Sequence, residues 1–391
     1  MKEVVILSAV RTAIGRFGGN LKSTPVIQMG TEVVRESVRR SRLDPTDIDE
    51  CLMGIVLPAG VGQNPARQCA IHAGLPVEIG STTINKVCGS GMKAVMLAAN
   101  SIKVGEHDVI VAGGMENMSA APYILRDARW GMRLNDSSAA DSMVYDGLWD
   151  VFNDVHMGLT GEIVAERHNV TREEADALAC ESHTKAQKAT EDGRFSDEIL
   201  PLKIKKKKEE VEHAADEGIR PGTSVEALAR LKPVFKKDGI VTAGNSSQIS
   251  DGASALVVAS REFAEERGVE PLATIVDYTT GGTKPEWIME APIVTTRKLF
   301  EKAGMTIDDI DLFEHNEAFA TASVAVKREL GVSDDIFNVN GGAVALGHPI
   351  GCSGARVLTT LLYAMRDRGL GTGLATLCLG GGNAVSMIVR R

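Results

Sequence analysis

The stretch Asn85-Lys86-Val87-Cys88-Gly89-Ser90-Gly91-Met92-Lys93 decides how the chain is read. A short run of strand character, Thr82-Thr83-Ile84, ends just before it. After it, apolar residues at Met92, Val95, Met96, Ala99 and Ile102 follow the helical period, and Gly105 closes the run. Cys88 therefore falls where a strand turns into a helix. The unpaired N–H groups and the dipole of a helix start favour negative charge. A thiol in that place is expected to ionise more readily and to serve as a nucleophile. The same stretch also reads as a small buried hydrophobe with no chemistry, the commoner fate of a free cysteine.

The last third of the chain repeats this unit. Gly89-Ser90-Gly91-Met92-Lys93-Ala94-Val95 is echoed by Cys352-Ser353-Gly354-Ala355-Arg356-Val357-Leu358, 263 positions on. Asp47-Ile48-Asp49 is echoed by Asp309-Ile310-Asp311, 262 positions on. The strand and glycines of 109–114 return in 374–381. Three matches in one order at a near-constant offset predict two copies of one α/β unit, at a period too long for a solenoid.

Around these anchors, strands alternate with helices. Residues 3–10 and 52–56 read as buried strands, 26–41 and 64–73 as helices, and 109–112 as the strand after the Cys88 helix. From Ser119 the pattern loosens into loops with Trp130 and Trp149, then two amphipathic helices at 164–167 and 172–190. The expected fold is α/β, two duplicated halves in a layered αβαβα core. Its N-terminal half comprises 1–118 plus 250–270. An inserted loop domain spans 119–249, and 271–391 form the C-terminal half.

Composition narrows the function. The 391 residues carry a net charge of −9 and only 4% aromatics, which argues against nucleic-acid partners. No apolar run approaches the ~20 residues of a membrane span. The six cysteines form no C-x-x-C pair. That favours reduced thiols, a cytoplasmic setting and no metal site.

Three further segments carry chemistry. His348 stands alone as a titratable group in Gly341 to Gly351, fixed between Gly347 and Pro349. It reads as a base for a thiol near neutral pH, or as a histidine bonded structurally to backbone. Cys378 ends an apolar strand and precedes Gly380-Gly381-Gly382, whose N–H groups suit an anion. Asn316, in Asn316-Glu317-Ala318-Phe319, reads as an oxyanion or water holder, or as a helix cap. The basic run 203–208 reads equally as a phosphate attractor and as a solvated hairpin face.

Taken together, Asn-Lys-Val-Cys-Gly-Ser-Gly at 85–91, Asn-Glu-Ala-Phe at 316–319, Gly-His-Pro-Ile-Gly at 347–351 and Cys-x-Gly-Gly-Gly at 378–382 resemble the thiolases. Within that family the chain is most similar to the short-chain acetyl-CoA acetyltransferases, from Ala9-Val10-Arg11-Thr12 to its last strand. The resemblance implies a reversible Claisen condensation of two acetyl-CoA to acetoacetyl-CoA and CoA, within lipid and fatty-acid metabolism. A broader or longer-chain 3-ketoacyl-CoA thiolase is the neighbouring reading, and a non-catalytic acyl-CoA-binding subunit the distant one.

By the same resemblance Cys88 is the acylated nucleophile, His348 its activating base and Cys378 the acid/base for the α-proton. Asn316 holds a water that forms one oxyanion site with His348, and the N–H groups of Cys88 and Gly380 form the other. His156, Met157, Phe235, Ala318 and Phe319 border the acyl pocket, together with Leu148. Ser247 and Ala243 lie along the pantetheine arm, and Arg220 near the CoA nucleotide. No cofactor is implied beyond CoA as substrate and product, and the family's habit is a homotetramer or dimer. Glu314-His315 is a departure beside the site, expected to touch acyl selectivity or rate.

Overall fold

A computed structural model describes residues 1–206 and 209–391. Two equivalent series of strands meet in one sheet system. The first half contributes β1 (Val4–Thr12), α1 (Val26–Ser41), β2 (Glu50–Gly54), α2 (Pro65–Ala73), β3 (Gly80–Ile84), α3 (Ser90–Val104), β4 (Val109–Asn117). After the insertion, which includes α4 (Met157–His168) and α5 (Arg172–Glu191), the half is completed by β5 (Ser250–Ser260). The second half runs β6 (Ala273–Gly282), α6 (Ala291–Ala303), β7 (Leu312–His315), α7 (Ala320–Leu330), α8 (Ser353–Arg368), β8 (Thr372–Leu379), β9 (Asn383–Arg390).

The strand order β7-β8-β9-β6-β1-β5-β4-β2-β3 makes the duplication visible. In each half the strand after the central helix pairs parallel on one side and antiparallel on the other. β4 takes β2 parallel and β5 antiparallel, and β8 takes β7 parallel and β9 antiparallel. The halves join edge to edge through Val5↔Thr274 and Ile6↔Ala273.

The helices form three layers around the two half-sheets. α3 and α8 pack together in the middle, where Met92, Val95, Ala99, Val357 and Leu361 share a core with inward residues of both halves. α1 and α2 cover the outer face of the first half. α6 and α7 cover the outer face of the second, with α4 and α5 of the insertion packed against them. α1 shows why these residues form this element. Met29, Val33, Val34 and Val38 recur on one face and are buried, each worth roughly 1.5–3 kcal/mol. Glu36 pairs with Arg39 and Arg40 on the other face.

The insertion is not loop alone. Besides α4 and α5 it adds Ile199–Leu200 to β1 and places Asp216 against Arg11. The basic run lies in a hairpin where Lys203, Lys205 and Lys206 stand opposite Glu212, Glu210 and Glu209. Lys207 and Lys208 lie outside the described residues.

Candidate active site

One cavity of about 540 Å³ opens between the two halves and the insertion. Each half delivers to it one side chain expected to react, from the segment before a central helix. Cys88 precedes α3 by two positions, and His348 precedes α8 by five. Cys378 enters it from the end of β8. Twelve of the residues expected from sequence line this cavity: Cys88, Leu148, His156, Met157, Arg220, Phe235, Ala243, Ser247, Ala318, Phe319, His348 and Cys378.

The two remaining expected residues act from behind the wall. Asn316 is fully buried, and its amide nitrogen lies 3.2 Å from His348 Nδ1 and 3.4 Å from Nε2. Among the described residues its Oδ1 has no hydrogen-bond partner, which leaves an acceptor next to the imidazole. The Gly380 N–H faces the Cys88 sulfur, as does the N–H of Cys88 itself. Two backbone donors thus converge where negative charge would gather.

The electrostatics differ from the sequence reading in one respect. The Cys88 thiol is not easier to ionise. The apolar surroundings of the sulfur push it up to about 12, and the two N–H groups offset only part of that. Burial likewise raises Cys378. It drives His348 down to about 3, with the Arg356 charge adding to the effect. The resting set is therefore two neutral thiols and a neutral imidazole.

Glu314 and His315 do not touch the cavity. They lie in β7, which is covered on both faces, and are almost wholly buried. His315 bonds Ser323 Oγ at 2.9 Å, and Glu314 faces the Arg356 charge within the core. A strand buried on both faces hides every side chain, so closeness to Asn316 in sequence puts neither residue in the pocket.

Several pocket residues were not picked out from sequence: Arg16 and Phe17 at the mouth, Met118, Gln248, Met289 and Ile350. Met289 sits 3.7 Å from the Cys378 sulfur. It belongs to an irregular turn with no motif to mark it. The apolar lining, with Met118, Met157 and Met289, suits an uncharged acyl group more than a charged one. Among the described residues no group of three or more His, Cys, Asp or Glu is arranged to hold a metal ion.

A duplicated layered fold with a cavity lined by two cysteines and two histidines at the seam of its halves defines a narrow class. The family described as "Thiolase, N-terminal domain" matches residues 4–262, and "Thiolase, C-terminal domain" matches 269–391. The chain is 53% identical over 392 residues to a Syntrophomonas wolfei protein named acetyl-CoA acetyltransferase, with 99% of each covered. It is 51% identical over 392 residues to one of the same name from Pseudomonas aeruginosa, with both covered in full. The crystal structure of the Bacillus anthracis acetyl-CoA acetyltransferase superposes with a TM-score of 0.98 at 43% identity, covering 100% of this chain and 99% of that one. The chain belongs to the thiolase family.

Proposed function

We propose that this protein is an acetyl-CoA C-acetyltransferase that joins two acetyl-CoA into acetoacetyl-CoA and CoA, and runs the reverse thiolysis. The observation that carries this reading is the convergence of Cys88, Cys378 and His348 on one apolar cavity, with the Gly380 N–H turned to the Cys88 sulfur. Full-length relatives named for the same activity support it.

Both thiols rest protonated, so the reaction needs a proton route. In acetyl transfer, Cys88 gives its proton to His348 Nε2 as its sulfur attacks the thioester carbon. The N–H groups of Cys88 and Gly380 stabilise the oxyanion. The carbon–sulfur bond to CoA breaks, and the leaving thiolate takes the proton of Cys378. Cys378 is now the base. It removes an α-proton from a second acetyl-CoA, and the enolate oxygen is held by protonated His348 with a water on Asn316. The enolate carbon attacks acetyl-Cys88. The Cys88 sulfur leaves and recovers its proton from His348, which restores the starting state. No cofactor other than CoA takes part.

His156, Met157, Phe235, Ala318, Phe319 and Leu148 bound the acyl end. Ser247 and Ala243, which also line the cavity, would hold the pantetheine arm, and exposed Arg220 the nucleotide phosphates. The deciding measurement is acetoacetyl-CoA thiolysis with free CoA, run beside a C10 3-ketoacyl-CoA. Preference for the longer substrate would replace the short-chain reading with the broader thiolase.

We also propose a cytoplasmic homo-oligomer. The six free cysteines suit a reducing compartment. Tyr123, Leu125, Trp130 and Leu134 crowd exposed apolar surface into one segment of the insertion. Light scattering on the purified protein tests this, and a monomer at micromolar concentration would overturn it. Among the described residues no helix is long and apolar enough to cross a membrane.

A further inference from the structure

The duplicated fold puts a serine at the first position of each central helix, Ser90 on α3 and Ser353 on α8. They are 263 positions apart, the spacing of the repeat, and both are fully buried. The two helix starts touch backbone to backbone. A Cβ on Gly91 would come within 2.7 Å of the Ala355 nitrogen, and one on Gly354 would strike the backbone of Met92. From this locked junction each hydroxyl reaches back toward the reacting residue of its own half.

Ser353 Oγ lies 2.6 Å from His348 Nδ1 and 2.9 Å from the Pro349 carbonyl oxygen. A serine hydroxyl has one proton to give and lone pairs to accept with. With its proton on the carbonyl, Oγ accepts from Nδ1–H. Nε2 then carries no proton, with the Asn316 amide 3.4 Å away as a donor to it, and it is the ring nitrogen able to take the thiol proton. On the other helix, Ser90 Oγ donates to the Val87 carbonyl at 2.6 Å and accepts from the Lys86 N–H at 2.8 Å. The Val87 N–H is held by Asn85 Oδ1 at 2.9 Å. Val87 has φ +46°, a conformation β-branched residues rarely adopt, and it directly precedes Cys88.

We infer that Ser90 and Ser353 are the positioning residues of the thiol proton exchange: Ser353 keeps the His348 ring proton on Nδ1, and Ser90 holds the turn that aims Cys88. This rests on the acyl-transfer reading above. It extends that reading by giving the duplication a task, since the same residue of each copy serves a different reactant.

The test uses the full-length protein and three readouts: steady-state thiolysis of acetoacetyl-CoA, the single-turnover acetylation of Cys88 by acetyl-CoA, and 15N spectra of ring-labelled histidine. Ser353→Ala is expected to lower kcat about a hundredfold with KM within about twofold, and to spread the His348 proton over both nitrogens. Ser353→Thr, which keeps the hydroxyl, is expected to return the Nδ1–H signal and most of the rate. Ser90→Ala is expected to slow Cys88 acetylation about tenfold with the His348 ring unchanged. Adding Val87→Gly, which adopts positive φ freely, is expected to recover much of that loss.

Wild-type kcat and an unmoved ring proton in Ser353→Ala overturn the His348 arm. Acetylation of Ser90→Ala at the wild-type rate, or a loss that Val87→Gly does not repair, overturns the Cys88 arm. If Ser90→Ala fails to fold, folding and acetylation of the double variant support the inference, and failure of both variants overturns it. The underlying reading is judged apart, on the wild type. A wild-type enzyme that is not acetylated at Cys88 sinks the proposed reaction whatever the serine variants do.

Discussion

His156 lies flat on Phe235, with ring centroids 4.9 Å apart and planes 15° from parallel. Phe235 in turn meets Phe319 edge-on at 6.3 Å. The three rings form one continuous wall of the cavity. A Cβ on Gly158 would strike the Phe235 ring, so this wall cannot move outward on that side.

We propose that this wall sets acyl length. Phe235→Ala is expected to lower kcat/KM for acetoacetyl-CoA about tenfold, a loss of roughly 1.4 kcal/mol in transition-state binding. The six-carbon 3-ketoacyl-CoA should lose less, so the preference for the short substrate narrows. Equal losses for both substrates would mean the rings do not gauge chain length.

Thiol chemistry at Cys88 should carry the mark of its surroundings. With the thiol pushed up to about 12, its thiolate fraction grows about tenfold per pH unit through the whole neutral range. With His348 driven down to about 3, its imidazole does not titrate between pH 5 and 8 to bend that line. The rate of Cys88 alkylation by iodoacetamide should thus rise log-linearly from pH 6 to 9. An inflection near 6.5 would show that His348 is not held neutral.

His315 gives a stability test with a definite sign. Burial lowers its pKa to about 3, against an ordinary value near 6.5 in the unfolded chain. Below pH 6.5 the unfolded state takes up a proton that the folded state refuses. The advantage of the folded state is fully present above that pH and is lost as pH falls toward 3. Relative to His315→Met, the wild type should lose about 1.2 kcal/mol of unfolding free energy between pH 6 and 5. Urea titrations of both proteins measure it, and parallel curves would contradict the burial of a neutral ring.

Arg11 ties the insertion to the sheet. Its guanidinium is fully buried, 2.6 Å from Glu198 and 2.7 Å from Asp216, and it lies over the Phe195 ring at 5.1 Å. Arg11→Met leaves two buried carboxylates without a counter-charge and should cost about 3–5 kcal/mol. Neutralising them as well, with Glu198→Gln and Asp216→Asn, should return part of that. A loss below about 1 kcal/mol in chemical denaturation would mean the cluster is hydrated rather than sealed.

Much of this was legible in the chain. The α1 boundaries, Val26 to Ser41, follow from apolar spacing alone, and the echo of Gly89–Val95 in Cys352–Leu358 marks the two halves. Local pattern sufficed there because helix period and turn chemistry are local. The state of Cys88 was not legible. A helix start argues for easy ionisation, but the apolar walls that outweigh it come from distant segments. Glu314 and His315 misled for the same reason, since neighbours of Asn316 along a strand need not face its pocket. Ser353 carries a signal in the sequence. A serine five places after a lone histidine, at the start of a repeated helix, marks a partner for its ring.

The pairing of the halves has a consequence for counting. Two positions before the start of α3 stands Cys88, and two positions before the start of α8 stands Gly351. A repeat obeying its own symmetry would offer two sulfurs per chain, one at each helix start. Here the second is a bare backbone atom, its N–H held by Glu116 at 2.9 Å. Gene duplication thus left an asymmetric catalyst with a silent twin. Saturating acetylation should stop at one acetyl per polypeptide, however many subunits assemble.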